Sequence, residues 1–316
     1  MRYHSSTALA SPSLPAGVPS GFDPMIVRSI EGGLEVQAPA KLNLFLEILG
    51  RRPDGYHELE SLMVATDLRD TLTFADDPSG QIHLTCDDPA LSTGPDNLVV
   101  MAAERLRAEA GVTRGARITL RKAIPAQAGL AGGSSDAAAT LIGLDRLWDL
   151  GASPAMLDEL AATIGSDVAF FRQGPCAVCR GRGEIVESRA LPVPLHIVLI
   201  CPPVGVSTAA VYRNLIPPER PRPIGAVLEA LDSGDIPSLG RSLFNRLQPV
   251  AESLEPSLGA VGEALVNLGP SLDGHLMSGS GSAYFGLARD RDAAEDAARR
   301  LGELGLGRVR VVTCGP

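Results

Sequence analysis

The stretch that most restricts what this chain can fold into begins at Ile124 and reads IPAQAGLAGGSSDAAATLIGLDRLWDLG. Gly129, Gly132 and Gly133 are followed by Ser134, Ser135 and Asp136, and Ala137, Leu141, Leu144 and Trp148 then recur at spacings of four, three and four. Those spacings place one apolar face on a helix, and Gly151 stands where it would end it. A glycine-rich loop therefore opens directly into a helix headed by hydroxyls and a carboxylate. Glycines let backbone N–H groups approach an anion, and the helix start adds unpaired donors at the positive end of the dipole. The pattern predicts a phosphate cradle. The plainer alternative is an ordinary helix capped by Ser or Asp after a flexible turn. The loop is not a Walker A loop, since no Lys follows its glycines, and it is not the dinucleotide G-x-G-x-x-G.

Around this segment the signals mix strand and helix. Residues 34–49 read as extended chain, with Pro39 excluding a helix, and RRPDG at 51–55 reads as a turn. Residues 71–74, 82–86 and 117–121 read as strands, 97–110 as a helix and 217–223 as a loop. The mixture is α+β in class rather than strictly alternating βαβ. A length of 316 residues fits about two domains. LPVPL at 191–195 interrupts the pattern and sets the expected boundary, giving domains at 34–192 and 193–316. Residues 1–33, with Pro12, Pro15, Pro19 and Pro24 and many serines, are expected to be a mobile extension. They lack the apolar core of a signal peptide.

With 28 basic and 37 acidic side chains the net charge is −9. That excludes broad binding along a nucleic-acid backbone but leaves room for one anionic small molecule at a local site. No apolar run approaches the ~18 residues of a membrane span; residues 195–204 read as a buried strand entering a proline turn. Five cysteines, an odd and irregularly spaced set, argue against a disulfide framework and for a reducing, cytoplasmic compartment. Cys176 and Cys179 form a C-x-x-C, but their flanks suggest a strand, where positions three apart face opposite ways.

Several polar residues stand out. Lys41 lies in the otherwise apolar AKLNLFL, so it is either an edge charge or a functional group. Asn43 shares its strand face. Asp167 in GSDV reads as a capping or turn aspartate, Tyr56 and His57 as surface aromatics, and Gly279–Ser280–Gly281 as a hairpin turn. The pairs Asp76–Asp77 and Asp87–Asp88 read as solvated turn residues.

Taken together, these segments resemble the GHMP small-molecule kinases. The loop at 124 is similar to their second motif, APAKLNLFLEILGRRPDGYHELESL at 38–62 to the first, and MSGSGSAYFG at 277–286 to the third. IGSDVAFF from Ile164 and FNRLQ from Phe244 agree, and the resemblance covers residues 36–315. Ala131 departs from it, where many members carry Gly; a methyl group matters there only if that backbone angle is positive.

The resemblance implies a two-domain GHMP kinase fold with the active site in the interdomain cleft. It implies ATP-dependent phosphorylation of a hydroxyl on a cytidyl-bearing sugar alcohol, with Mg²⁺. ATP would lie on Pro125, Ala126, Gln127, Ala128, Gly129, Leu130, Ala131, Gly132, Gly133, Ser134 and Ser135. Asp167 would take the hydroxyl proton, with Lys41 holding it ionised. Tyr56 would stack on the cytosine, His57 hydrogen-bond its edge and Tyr212 cover its other face, with Asn43, Thr208, Gly279, Ser280 and Gly281 also at the substrate. The magnesium ligands stay open, Asp136 and Asp145 being candidates. The expected partner is the small cytidyl substrate, with no nucleic acid or membrane, on a monomer or weak homodimer. The rivals are another kinase of the family, of homoserine or mevalonate type, and a catalytically inactive nucleotide-binding homologue. GYHE and Tyr212 argue against the first, Lys41 and Asp167 against the second.

Overall fold

The computed structural model describes residues 25–315. Its elements in chain order are β1 (Ile26–Ile30), β2 (Gly33–Arg51), β3 (His57–Asp77), β4 (Ile82–Cys86), α1 (Leu98–Glu109), β5 (Gly115–Arg121), α2 (Gly132–Trp148), α3 (Pro154–Ile164), α4 (Val168–Gln173), β6 (Cys176–Gly181), β7 (Ile185–Ser188) and β8 (Leu195–Cys201). There follow α5 (Thr208–Asn214), α6 (Gly225–Ser233), α7 (Ile236–Ser242), β9 (Phe244–Asn245), α8 (Gln248–Leu254), α9 (Ser257–Val266), β10 (Gly274–Met277), β11 (Tyr284–Ala288), α10 (Arg291–Gly302) and β12 (Arg308–Cys314).

The long antiparallel pair β2–β3 is the spine. Residues 38–48 of β2 are buried without alternation, as expected for a strand covered on both faces. The sheet runs β1-β2-β3-β12-β8-β11-β10; β5 adds to the C-terminal half of β3 and β6 to its N-terminal half. One core cluster, with Phe74, Trp148, Phe170 and Phe171, fills the space between this sheet and α1–α4. A second joins Leu42, Leu62 and Val64 to Leu195, Ile197, Leu239 and Phe285. The residue 192/193 boundary falls in the β7–β8 connection, yet the two halves share this core. They also share the parallel pairing of β9 with β2.

Local chemistry explains the ends of the elements. Asn97 Oδ1 accepts the Val99 N–H at 2.9 Å and starts α1. The start of α2 has no side-chain cap, so the plainer alternative of a helix capped by Ser or Asp does not hold. Asp149, in the left-handed conformation at φ 53°, ends it in place of Gly151. Cys176 and Cys179 lie in β6 on opposite faces, one in each core cluster, as free thiols.

The mobile extension expected through residue 33 is corrected for residues 26–30. These form β1, which hairpins onto β2 through Glu31 and Gly32, the glycine taking φ 78°; Met25 is buried in the first core cluster. The proline- and serine-rich composition ends before this point, and the mobility expected of residues 1–24 lies outside the described residues.

A buried ion pair locks the β9 segment to β2. Arg246 Nε and Nη2 donate to Glu47 Oε1 and Oε2 at 2.8 and 2.7 Å, and the Ile48 and Arg222 N–H groups donate to the same carboxylate. Burial pushes the Glu47 carboxyl up. The hydrogen bonds from Arg246 and the two backbone groups outweigh that and hold it below its ordinary range. A carboxyl depressed by folding stabilises above the ordinary carboxylate range and loses that contribution as pH falls below it. Arg246→Ala is therefore expected to cost about 2–3 kcal/mol at neutral pH, discounted for the partial exposure of Arg246. The gap from the parent protein should narrow below about pH 4. Denaturant unfolding at several pH values checks this, and a gap independent of pH would remove Glu47 as the charged partner.

Candidate active site

The site is built where β2 breaks its register. The β2–β3 pairing shifts between Pro39 and Lys41 and again between Asn43 and Phe45, and such bulges re-aim side chains. Between the two shifts, the Lys41 N–H donates to the Leu130 carbonyl at 3.1 Å instead of to β3. The Lys41 ammonium is buried; it donates to Asn43 Oδ1 at 2.5 Å and lies 3.8 Å from Asp167 Oδ2. Asn43 Nδ2 donates to Ser61 Oγ, which donates to the Phe45 carbonyl. Burial lowers the pKa of Lys41, and the Asp167 charge works against that.

Asp167 stands at the start of α4, yet its side chain makes no capping bond. The capping alternative therefore fails, and the carboxylate faces Lys41, 29% exposed.

The glycine-rich loop is held from behind. Three successive carbonyls accept bonds from other segments: Ala128 from the Ala283 N–H at 3.0 Å, Gly129 from Ser278 Oγ at 3.1 Å and Leu130 from Lys41. Gly129, at φ 74°, packs so closely on the third motif that a Cβ would lie 2.0 Å from the Ser278 carbonyl oxygen. Asn245 fixes that motif in turn, its Nδ2 donating to the Met277 and Gly279 carbonyls at 2.7 and 2.8 Å. The first helical bond of α2 runs from the Ser135 N–H to the Ala131 carbonyl. The N–H groups of Gly132, Gly133 and Ser134 precede it and are open to an anion. Ala131 takes φ 54°, so the departure from glycine falls at a left-handed position and costs about 1–2 kcal/mol.

In front of the loop lies a cavity of about 1420 Å³. A single small ligand fills roughly 300–1,000 Å³, so there is room for two. Of the expected site residues, Lys41, Asn43, Tyr56, His57, Asp167, Thr208, Tyr212 and 279–281 line it, as do 125–129 and 131–134. Leu130 and Ser135 do not reach its wall; both are buried behind the loop. At one end the His57 and Tyr212 rings meet, with centroids 5.4 Å apart, and Arg182 lies over the Tyr56 ring at 4.9 Å. Burial first, and then the Arg51 charge, lower the pKa of His57, which favours a neutral imidazole. Thr208 Oγ1 and Ser280 Oγ share a hydrogen bond of 2.7 Å.

At the other end is a cluster that sequence reading missed. Lys122 bridges the buried carboxylates of Asp70 and Asp136, and Asp70 Oδ1 accepts the Ala123 and Ile124 N–H groups. The cluster fixes the strand that leads into the glycine loop. Burial works against the charge on Lys122, but the two carboxylates raise its pKa. Burial raises the Asp136 carboxyl despite Lys122. A lysine two residues before the glycine-rich segment was the available signal. Asp145 is used elsewhere, accepting the Ala152 N–H beyond the end of α2, and takes no part in the cavity wall.

A glycine cradle joined across a two-part α+β fold to a buried lysine and a half-buried aspartate defines a small-molecule phosphotransferase. Residues 97–175 match the GHMP kinases N terminal domain and residues 227–305 the GHMP kinases C terminal family. The 4-diphosphocytidyl-2-C-methyl-D-erythritol kinase of Pelotomaculum thermopropionicum is 45% identical over 83% of this chain and 92% of its own length. That of Geobacillus thermodenitrificans is 43% identical over 80% and 88%. A crystal structure of 4-(cytidine 5'-diphospho)-2C-methyl-D-erythritol kinase, 41% identical, superposes with a TM-score of 0.75 over 89% of this chain and 99% of its own. The homoserine kinase of Cytophaga hutchinsonii, 20% identical with a TM-score of 0.71 over 91% and 96%, shares the fold. The chain belongs to the GHMP kinases and, within them, to the 4-diphosphocytidyl-2-C-methyl-D-erythritol kinase family.

The electrostatics of the pair can be tested directly. Asp167→Asn removes the charge that opposes the burial of Lys41, so the Lys41 pKa should fall further. Titration of the lysine Cε resonance by NMR checks this. A Lys41 titration unmoved by the substitution would mean that the two groups are not coupled.

Proposed function

We propose that this protein transfers the γ-phosphoryl group of ATP to the 2-hydroxyl of 4-diphosphocytidyl-2-C-methyl-D-erythritol, in non-mevalonate isoprenoid precursor biosynthesis. The observation that carries the reading is the Lys41–Asp167 pair, 3.8 Å apart, in the wall of one cavity between a glycine cradle and a group of aromatic rings. The cradle suits phosphates. The rings suit a planar base, which homoserine and mevalonate lack.

In this mechanism the N–H groups of Gly132, Gly133 and Ser134 bind the ATP phosphates. Asp167 accepts the proton of the attacking hydroxyl. Lys41 favours the ionised aspartate and stabilises the developing alkoxide, and Asn43, in the cavity wall, orients Lys41 and faces the acceptor. Tyr56, His57 and Tyr212 hold the cytosine. Catalysis is then chiefly positioning and electrostatic stabilisation.

Among the described residues no group of three or more His, Cys, Asp and Glu could hold a metal. Mg²⁺, which the kinase reading implies, takes most of its ligands from phosphates and water. Asp136, whose Oδ1 is buried without a partner, and Ser134 at the cavity wall would hold it, and the ion would neutralise phosphate charge. Among the described residues no helix is long and apolar enough to cross a membrane. The free thiols support a reducing compartment, and we place the protein in the cytoplasm.

ADP release, measured with the cytidyl acceptor, the same polyol phosphate lacking cytidine, homoserine and mevalonate, tests the reading. Turnover of the cytidyl compound alone is expected; turnover of homoserine or mevalonate instead would discard the acceptor assignment. Asp167→Asn should lower kcat by about 10³ or more and leave the Kd for ATP within about threefold. Substantial residual turnover would remove Asp167 as the base. Tyr56→Ala should raise the acceptor KM by about tenfold or more, the scale of one stacked base, and leave the ATP KM in place. An unchanged acceptor KM would rule out stacking by that ring.

A further inference from the structure

Tyr56 is 56% exposed, and a tyrosine that exposed is free to change rotamer unless something holds it. The structure supplies a holder that the proposed mechanism does not use. Arg182, on the turn between β6 and β7, lies over the Tyr56 ring with its guanidinium carbon 4.9 Å from the centroid. Both side chains line the cavity, so the contact lies within reach of a bound ligand.

The turn that carries Arg182 is itself fixed. The Arg182 N–H donates to Glu184 Oε2 at 2.6 Å, and Arg182 Nε lies 3.8 Å from Glu184 Oε1. Gly183, at φ 114°, packs onto the segment that carries Asp167: a Cβ there would lie 3.3 Å from Ser166 Cβ and 3.9 Å from Asp167 Oδ1. One short turn therefore touches the aspartate through Gly183 and the tyrosine through Arg182.

The far side of the contact is equally defined. Tyr56 closes the β2–β3 turn, its carbonyl accepting the Arg52 N–H at 2.8 Å and its own N–H donating to Asp54 Oδ1 at 3.1 Å. Burial pushes the Asp54 carboxyl up, but the Tyr56 N–H, Arg52 and the nearby Arg182 charge hold it below its ordinary range. Arg182 thus faces both a ring and a carboxylate of this turn.

We propose that Arg182 is a positioning residue for acceptor specificity, clamping the Tyr56 ring so that a stacked base is held at a fixed place relative to Asp167. Its effect belongs to acceptor binding and not to the ATP half of the cavity. Ordering the ring before the ligand arrives removes part of the entropy cost of binding. The proposal rests on the reading of the acceptor as a cytidyl compound.

The test compares wild type, Arg182→Ala, Arg182→Lys, Tyr56→Ala and the Arg182→Ala/Tyr56→Ala double variant, with the cytidyl acceptor and ATP. Arg182→Ala should raise the acceptor KM about three- to tenfold, with kcat and the ATP KM within about twofold. Lysine, which keeps the cation but not the plane, should recover part of the loss. In the Tyr56→Ala background the removal of Arg182 should have no further effect. On the free protein, the Arg182 side-chain resonances should carry a ring-current shift that Tyr56→Ala abolishes.

An unchanged acceptor KM, an equal effect with and without Tyr56, a loss spread over kcat and the ATP KM, or unshifted Arg182 resonances would each overturn the clamp. If wild type turns over the cytidyl acceptor, such a result sinks this proposal alone. If wild type leaves that acceptor unused, the functional reading fails and the clamp's role in specificity fails with it.

Discussion

Three backbone hydrogen-bond acceptors hold the site together. The carbonyls of Ala128, Gly129 and Leu130 are taken by Ala283, Ser278 and Lys41, which come from the third glycine turn and from β2. Each bond contributes only about 1 kcal/mol net, but a buried carbonyl left without a donor costs more than that. Moving the loop would break all three together. The shape of the glycine-rich loop is therefore not a local motif resting on a scaffold. It exists only when β2, the glycine loop and the third motif are assembled, and the cavity and the fold form one cooperative unit.

The parts of this arrangement that are local in sequence were legible. The helix at 97–110, the strand at 82–86, the apolar face of α2 and the glycine turn ahead of it all follow from spacing within a few residues. Lys41 and Asn43 shared a face as expected, because both lie between the two bulges of β2. Their partners were not legible. For Asn43, the sequence shows neither Ser61, which accepts from its amide nitrogen, nor Lys41, which donates to its oxygen. Asp70 and Lys122 are 52 residues apart, and Glu47 and Arg246 are 199 apart; no periodicity connects such pairs. The full reach of β3 was hidden by Asp67 and Asp70. The first accepts the Thr313 N–H and the second serves Lys122, so neither marks a strand end.

The net charge of −9 and the cavity do not agree in sign. In the cavity wall, Lys41, Lys122, Arg51, Arg182 and Arg213 outnumber Asp96, Asp136 and Asp167. A locally cationic cavity in an acidic body attracts a multiply charged nucleotide without drawing long polyanions to the rest of the surface. The two lysines are held differently. Lys122 lies between two carboxylates and its charge is secured. Lys41 has one carboxylate at 3.8 Å, and burial lowers its pKa. Lys122 is suited to a fixed structural charge, and Lys41 to a charge whose strength depends on what Asp167 is doing.

The loop's backbone angles bring the argument back to its carbonyls. Gln127 and Ala131 both take φ 54°, left-handed values that L-residues other than Asn and Asp rarely adopt. Each costs about 1–2 kcal/mol, and such strain survives only where the surroundings over-determine the conformation. Here they do, because the three pinned carbonyls are those of residues 128–130, directly between the two strained positions. A glycine at 131 would remove the strain at that position, but it would also widen what the unbound loop can adopt. Alanine keeps the loop narrow in conformation and relies on Lys41, Ser278 and Ala283 to hold it in the one shape that turns the first N–H groups of α2 toward the cavity.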